Sequence, residues 1–297
     1  MQKWTKQIEL PADQTVMTLS QLMQQWSLPR RIRGQLRQNK RVLLNGNYQP
    51  VSTLIQPRDK VSFTFLATDF RHSQSGYEID HRDHLDILYE NPDFMIANKP
   101  GGIKTHPNSP GEVGTLLNFV QGYLQKATGK AAYMVHRLDE GTSGAIIIAK
   151  VPFVVPMLNA QLKTKRIQRT YLAWVKGRME QAAGTIKMPI GRHPSNDRLR
   201  QIGGLAAQDA VTHWQLLETR GSTSLLQIQL ETGRTHQIRV HLAALGHPLL
   251  GDRDYNPKAI DRRLQLHSST VSLILPFSQT DLTVKAPLPA DFIHPSV

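Results

Sequence analysis

In LPRRIRGQLRQNK, residues 28–40, Ile32 and Leu36 lie four apart, while Arg30, Arg33 and Arg37 recur at helical spacing on a different face. One side of this helix packs and the other is cationic, with Lys40 and Arg41 extending the basic side. RVLLNGNYQPV, residues 41–51, reads as strand, Asn-Gly turn and strand, and DKVSFTF, residues 59–65, as a further strand. The expected order is helix, helix, then short strands. ATDFRHSQSGYEIDHRD, residues 67–83, is polar and has little periodicity, as a linker would. Beyond it, apolar runs of strand length recur in LDILYE, FMIANK, GAIIIAK, YLAWVKG and SLLQIQL. GTLLNFVQGYLQKATG, FVVPMLNAQLKTKR and HQIRVHLAALG have helical length. This mixed order predicts an α+β domain. The chain divides into a module over residues 1–66, a linker over 67–83 and a large domain over 84–297.

Charge changes the picture. The 297 residues carry a net charge of +13. Residues 1–65 hold ten of the 36 basic residues and three of the 23 acidic ones, so about half of the excess lies in under a quarter of the chain. A polyanionic partner follows, met first by the N-terminal module.

Several chemistries are excluded. Cysteine is absent, which removes disulfides, thiolate metal sites and cysteine nucleophiles. No G-x-x-x-x-G-K-[ST] or G-x-G-x-x-G motif occurs, so neither a Walker-type loop nor a dinucleotide fold is expected. GTSG lacks the spacing of a nucleophile elbow. His236 and His241 are five apart and do not share a helical face, so no metal is expected. No apolar stretch has the length of a signal peptide or a membrane span, and a cytoplasmic address is expected.

What remains is an Asp, a Tyr and an Arg, each in a tight motif. Asp139 lies in HRLDEGTSG, where glycines permit unusual backbone angles and Thr142 and Ser143 can cap backbone donors. The apolar run AIIIA follows, so a core strand can hold this loop. Tyr171 lies in QRTYLAWVKG, and Arg234 in LETGRTHQIRVHLAALGHPLLGD, at a junction of strand and helix.

With NKPGGIKTHP, GHPLLGDRDY and the closing APLPADF, these motifs resemble the RluA-type RNA pseudouridine synthases, in order and over roughly residues 84–293. Leu28, Pro29, Arg30, Arg33, residues 42–46, Asp59 and Val61 resemble the small RNA-binding domain named after ribosomal protein S4. The resemblance implies a pseudouridine synthase fold: a mixed, largely antiparallel sheet with flanking helices, plus a small N-terminal α/β module. It implies isomerisation of uridine in structured RNA, ribosomal or transfer, by a monomer without a cofactor.

By the same resemblance Asp139, Tyr171 and Arg234 are catalytic, with Arg234 paired to Asp139 and Tyr171 stacked on the uracil. Arg137, Leu230, His136 and Thr142 would contact the substrate. Arg137 would fill the space left by the extruded base, and Leu230 would wall the ring. Arg30, Arg33, Arg37, Lys40 and Arg41 would bind RNA. An RNA glycosidase and a non-catalytic assembly factor on the same fold are the rival readings.

Overall fold

A computed structural model describes residues 2–70, 76–81, 85–128, 130–256, 263–278 and 280–292. Residues 71–75 and 82–83 of the expected linker lie outside them. The larger domain is built on a ten-stranded sheet. From one edge the order is Ala183–Lys187, Val211–Arg220, Thr223–Leu230, Gln168–Lys176, Leu266–Ile274, Ser143–Ala149, Phe94–Lys99 and Ile87–Glu90. Asp281–Lys285 pairs with Leu266–Ile274, and Tyr133–Met134 with Ser143–Ala149. The helices Leu116–Thr128, Val155–Lys163 and Gln237–Ala244 complete it, giving the α+β class that the pattern predicts.

Every pairing in this sheet is antiparallel except one. Ser143–Ala149 runs parallel to Leu266–Ile274, with Ser143 opposite His267 and Gly144 opposite Ser268. All seven residues of Ser143–Ala149 are buried, as its unbroken apolar run requires. The contact at Gly144 accepts no side chain. Its φ is +108°, and a Cβ there would lie 2.2 Å from the Ser268 carbonyl oxygen. That approach locks the strand that follows Asp139 into the middle of the sheet.

The N-terminal module opens on a strand rather than a helix. In Lys3–Glu9 alternate residues turn inward, and the strand pairs antiparallel with Lys60–Leu66. Leu19–Gln25 follows, capped by Thr18, whose Oγ1 accepts from the Gln21 amide while Gln21 Oε1 accepts from the Thr18 amide. Arg30–Gln38 buries Ile32 and Leu36, the two residues its spacing singles out. Val42–Leu44 and Asn47–Tyr48 form the expected hairpin, with Asn45 and Gly46 both in the left-handed region.

Module and large domain share one apolar core. Trp26 packs edge-on against Phe63 and against Phe277, with ring centroids 5.8 and 5.4 Å apart. Phe65 stacks on Phe153 at 4.8 Å. Lys6 adds an ion pair to Asp93 across the junction at 2.6 Å.

The expected linker begins inside this core. Ala67–Asp69 is a short 3-10 turn, and Asp69 is buried. Both Asp69 oxygens accept from the Arg41 guanidinium, at 2.6 and 2.9 Å, and the Asp69 carbonyl accepts from Arg31. Burial alone would raise the Asp69 carboxyl, but the Arg41 hydrogen bonds outweigh it and hold the group below its usual range. Arg41 also donates to the Thr64 carbonyl. This corrects the expectation that Arg41 belongs to the RNA-binding face. Its charge is spent on a buried carboxylate.

Asp69→Ala should leave the Arg41 guanidinium buried without a counter-charge and cost about 3–5 kcal/mol. Denaturant unfolding reads the loss. Calorimetry of the wild type should show one transition for module and large domain together, because their core is continuous.

Candidate active site

A cleft of about 70 Å³ opens beside the sheet. Its walls come from four places. Arg137, Leu138, Asp139 and Thr142 lie on the loop before Ser143–Ala149. Arg169 and Tyr171 lie on Gln168–Lys176, and Leu230 ends Thr223–Leu230. Gly233 to Gln237 carry the turn into the helix Gln237–Ala244, whose Ile238 also faces in. Leu266 closes the floor from its own strand.

The residues on either side of Asp139 are fixed through their backbone. Leu138 is clamped by Thr105, whose Oγ1 donates to the Leu138 carbonyl at 2.7 Å and accepts from its amide at 3.1 Å. The Glu140 carbonyl accepts from the Gly102 amide at 2.9 Å and from Lys99 Nζ at 3.0 Å. Lys99 also donates to the carbonyls of Pro100 and Ile103. The Thr142 amide donates to the Asp139 carbonyl and closes a turn. NKPGGIKTHP is thus the cradle of the HRLDEGTSG loop. Burial brings the Lys99 ammonium down to about 7, against the attraction of Asp139 and Glu140.

The Asp139 carboxylate is half-buried and makes no hydrogen bond or ion pair with a described side chain. Arg234, expected to pair with it, is occupied elsewhere. Its Nε donates to the Asp209 carbonyl at 3.0 Å and its Nη1 to Gln208 Oε1 at 2.5 Å. Gln237 holds this turn. It accepts from the Arg234 amide and from Thr232 Oγ1, and donates to Val211 and Thr212. Besides Lys99, a buried cation that feels the Asp139 charge is Arg239, five residues on from Arg234. Burial works against its charge, but Asp252, Asp254 and Asp139 more than offset that and raise the guanidinium above its ordinary range. Arg239 bonds Asp252 at 2.8 and 2.7 Å and Asp254 at 2.6 Å, and stacks on Tyr255.

Tyr171 is 4% exposed, with its ring in the cleft wall. Burial raises its hydroxyl, Arg169 opposes the rise and Asp139 adds to it. Arg169 stands two residues before Tyr171 on the same strand face, a relation legible in QRTY. Its Nη2 would lie 3.6 Å from a Cβ at Gly233, so the glycine leaves the guanidinium uncovered. Arg137 reaches Thr235 Oγ1 at 2.9 Å across the mouth.

Arg137, Asp139, Thr142, Tyr171, Leu230 and Arg234 therefore meet in one cleft. His136 does not join them. Its Nε2 accepts from the Ile147 amide at 3.1 Å, and burial, with Arg169 nearby, lowers the imidazole to about 3. Arg169, His236 and Arg239 are the site residues that sequence reasoning misses. His236 has φ +57°, and burial lowers its imidazole while Asp139 pulls the other way. Behind the Asp139 loop, Ser143 Oγ and His267 Nδ1 are 2.8 Å apart, and burial lowers His267 to about 4.

These histidines set an acid limit. The unfolded chain takes up their protons near pH 6.5, whereas the folded chain resists until about 4 for His267 and about 3 for His136. Their contribution to stability is full above pH 6.5 and is lost as the pH falls through that window. Denaturant unfolding between pH 7 and pH 4 should show the decline, and His267→Gln should flatten it.

Comparison with known proteins places this cleft in context. Residues 93–244 match the family described as RNA pseudouridylate synthase, and residues 6–61 match the RluD ribosomal pseudouridine synthase N-terminal domain. The Uncharacterized RNA pseudouridine synthase YhcT of Bacillus subtilis (strain 168) is 42% identical over 229 residues, covering 75% of this chain and 75% of that protein. Ribosomal large subunit pseudouridine synthase D of Xylella fastidiosa (strain Temecula1 / ATCC 700964) is 35% identical over 274 residues, covering 84% of this chain and 78% of that protein. Among solved structures, Human RNA Pseudouridylate Synthase Domain Containing 1 aligns with a TM-score of 0.57 at 26% identity, over 69% of this chain and 84% of that one.

Proposed function

The chain belongs to the RNA pseudouridylate synthase family, and we propose that it isomerises uridines of ribosomal RNA in this cleft, with Asp139 as the reacting carboxylate. Transfer RNA is the alternative to ribosomal RNA in this reading, which takes the enzyme as a cytoplasmic monomer. Among the described residues no helix is long and apolar enough to cross a membrane.

The observation that carries the proposal is the state of Asp139. Its backbone is pinned on both sides, while its carboxylate bonds no described side chain in a cleft where Leu138, Tyr171, Leu230, Ile238 and Leu266 alternate with Arg137, Arg169, Arg234 and His236. Hydrolysis of a glycoside commonly uses two carboxylates, one to protonate the leaving group and one to attack or to activate water. Here the N1–C1′ bond breaks, the uracil turns and C5 bonds to C1′. The ring then loses its C5 proton and N1 gains one, so no water enters the product. A single carboxylate serves by bonding the sugar, bonding the base or taking a sugar proton. The apolar side chains among the lining suit contact with the free ring while it turns.

Roles for the neighbours follow from position. Lys99 and Arg239 are buried cations whose charge interacts with Asp139, a part the sequence reading gave to Arg234. Tyr171 faces the uracil and lies near enough to Asp139 to feel its charge, which suits it to the late proton transfer. Arg137, on the rim, takes the place of the extruded base. Extrusion costs a few kcal/mol of unstacking.

The N-terminal module contributes backbone affinity. Arg30, Arg33 and Arg37 line a recess of about 220 Å³ with Ser20 and Gly34, and Lys40 lies over the Tyr48 ring at 5.5 Å. Three guanidinium groups around one hollow suit phosphate oxygens.

Asp139→Asn should lower pseudouridine formation by at least about 10²-fold while leaving RNA affinity nearly unchanged. Full activity in this variant would refute the assignment. Release of free uracil by the wild type would favour a glycosidase instead. Pseudouridine mapping of ribosomal RNA with and without the gene should find lost positions.

A further inference from the structure

We propose that the small sheet beside the cleft is a second RNA-docking surface, which grips the sugar-phosphate backbone flanking the target uridine. The proposal rests on the reading above that the cleft acts on RNA. The strands Ile190–His193, Asn196–Ile202 and Leu205–Gln208 form this sheet, apart from the ten-stranded one. It stands on a narrow apolar base in which Ile190, Ala210 and Val240 pack with Ile202 and Tyr255. Arg192, residues 196–198 and every residue of Leu205–Gln208 are exposed.

Its charges are arranged against its own stability. Arg192 and Arg200 are directly opposite each other across the antiparallel pair Ile190–His193 and Asn196–Ile202. Arg198 lies two residues before Arg200, in the irregular stretch where the pairing shifts register, and is exposed. Like charges directly opposite in a sheet are destabilising. None of the three forms an ion pair with a described residue, and the Arg200 guanidinium donates to the carbonyls of Asp197 and Leu199. Asp197 and Asp209 are the acids of this sheet and its rim. A stripe of guanidinium groups maintained at that cost suits a partner with regularly spaced anions, which is the chemistry of a nucleic-acid backbone.

The surface is tied to the cleft at two points. Arg234, in the cleft wall, is held by Gln208 and Asp209 at the end of the sheet. On the arginine-bearing strand, the Arg200 amide donates to Tyr255 Oη at 2.9 Å, and that oxygen is 2.8 Å from Nδ1 of His236, another cleft residue. RNA lying on Arg192 and Arg200 would thus rest on a sheet fastened to the cleft wall. The N-terminal recess makes a separate contact.

The test uses the full-length protein and a short RNA hairpin with one loop uridine, measured by filter binding from about 50 to about 200 mM salt. Arg192→Gln/Arg198→Gln changes two exposed side chains. It should weaken binding on the order of tenfold, and should reduce the slope of log affinity against log salt by about 2. In turnover KM should rise with kcat preserved, and Arg192→Lys/Arg198→Lys should restore both affinity and slope. Unchanged affinity and slope would overturn the proposal, even if an acidic protein then bound this sheet. An equal loss in Lys163→Gln/Lys285→Gln, two exposed cations elsewhere, would also overturn it by making net charge the cause. Asp139→Asn tests the catalytic reading separately. If it stays active the cleft assignment fails, whatever the arginine variants do.

Discussion

The Lys99 ammonium, fully buried, donates to the carbonyls of Pro100, Ile103 and Glu140 and so ties two loops into one unit. Thr105 completes the tie by clamping Leu138 through both amide and carbonyl. Between these anchors Asp139 has almost no backbone freedom, yet its carboxylate is left without a bond. The half-buried carboxylate is thereby held in the cleft wall and bonds no described side chain. The surrounding construction resists the two easy escapes, a shift of the loop and a collapse of the cleft. Gly144 packed on the Ser268 backbone blocks the first, and the floor residue Leu266, on the same strand as Ser268, blocks the second.

Periodic features were legible in the chain. The Arg30–Gln38 helix, its buried Ile32 and Leu36, the hairpin around Asn45 and Gly46, and the buried run of Ser143–Ala149 all follow from local spacing. Features set by distant partners were not. Arg41 looks like part of a basic stripe until Asp69, 28 residues later, folds back onto it. Arg234 and Arg239 stand five apart in one motif, and nothing local says which of them turns inward. The helix decides it. Arg234 precedes Gln237–Ala244 and is caught by Gln208, whereas Arg239 is inside the helix and faces Asp252. Leu205–Gln208 is not legible because LAAQ, exposed at every residue, has no apolar-polar alternation to read.

The arginines fall into two populations with opposite uses. Arg41 and Arg239 are buried on carboxylates and act as structural struts, since removing either partner would strand a charge. Arg30, Arg33 and Arg37 in the module line an open recess instead. Net charge in the sequence adds both populations together. Only the second is available to a polyanion, so the surface is less basic than the count implies, and its basic character is more local.

The aromatic contacts between module and large domain bear on how the chain is made. Trp26 and Phe63 lie against Phe277, and Phe65 against Phe153. The first of these pairings is separated by about two hundred and fifty residues of chain. Contacts so distant in sequence form late, because a large loop must close before they are rewarded. During synthesis the module emerges first, at about 5–20 residues per second, with one flank of its core uncovered until the strand before Phe277 follows. The module, made before the large domain, is therefore among the last parts to be finished, and for that interval its aromatic flank needs shielding.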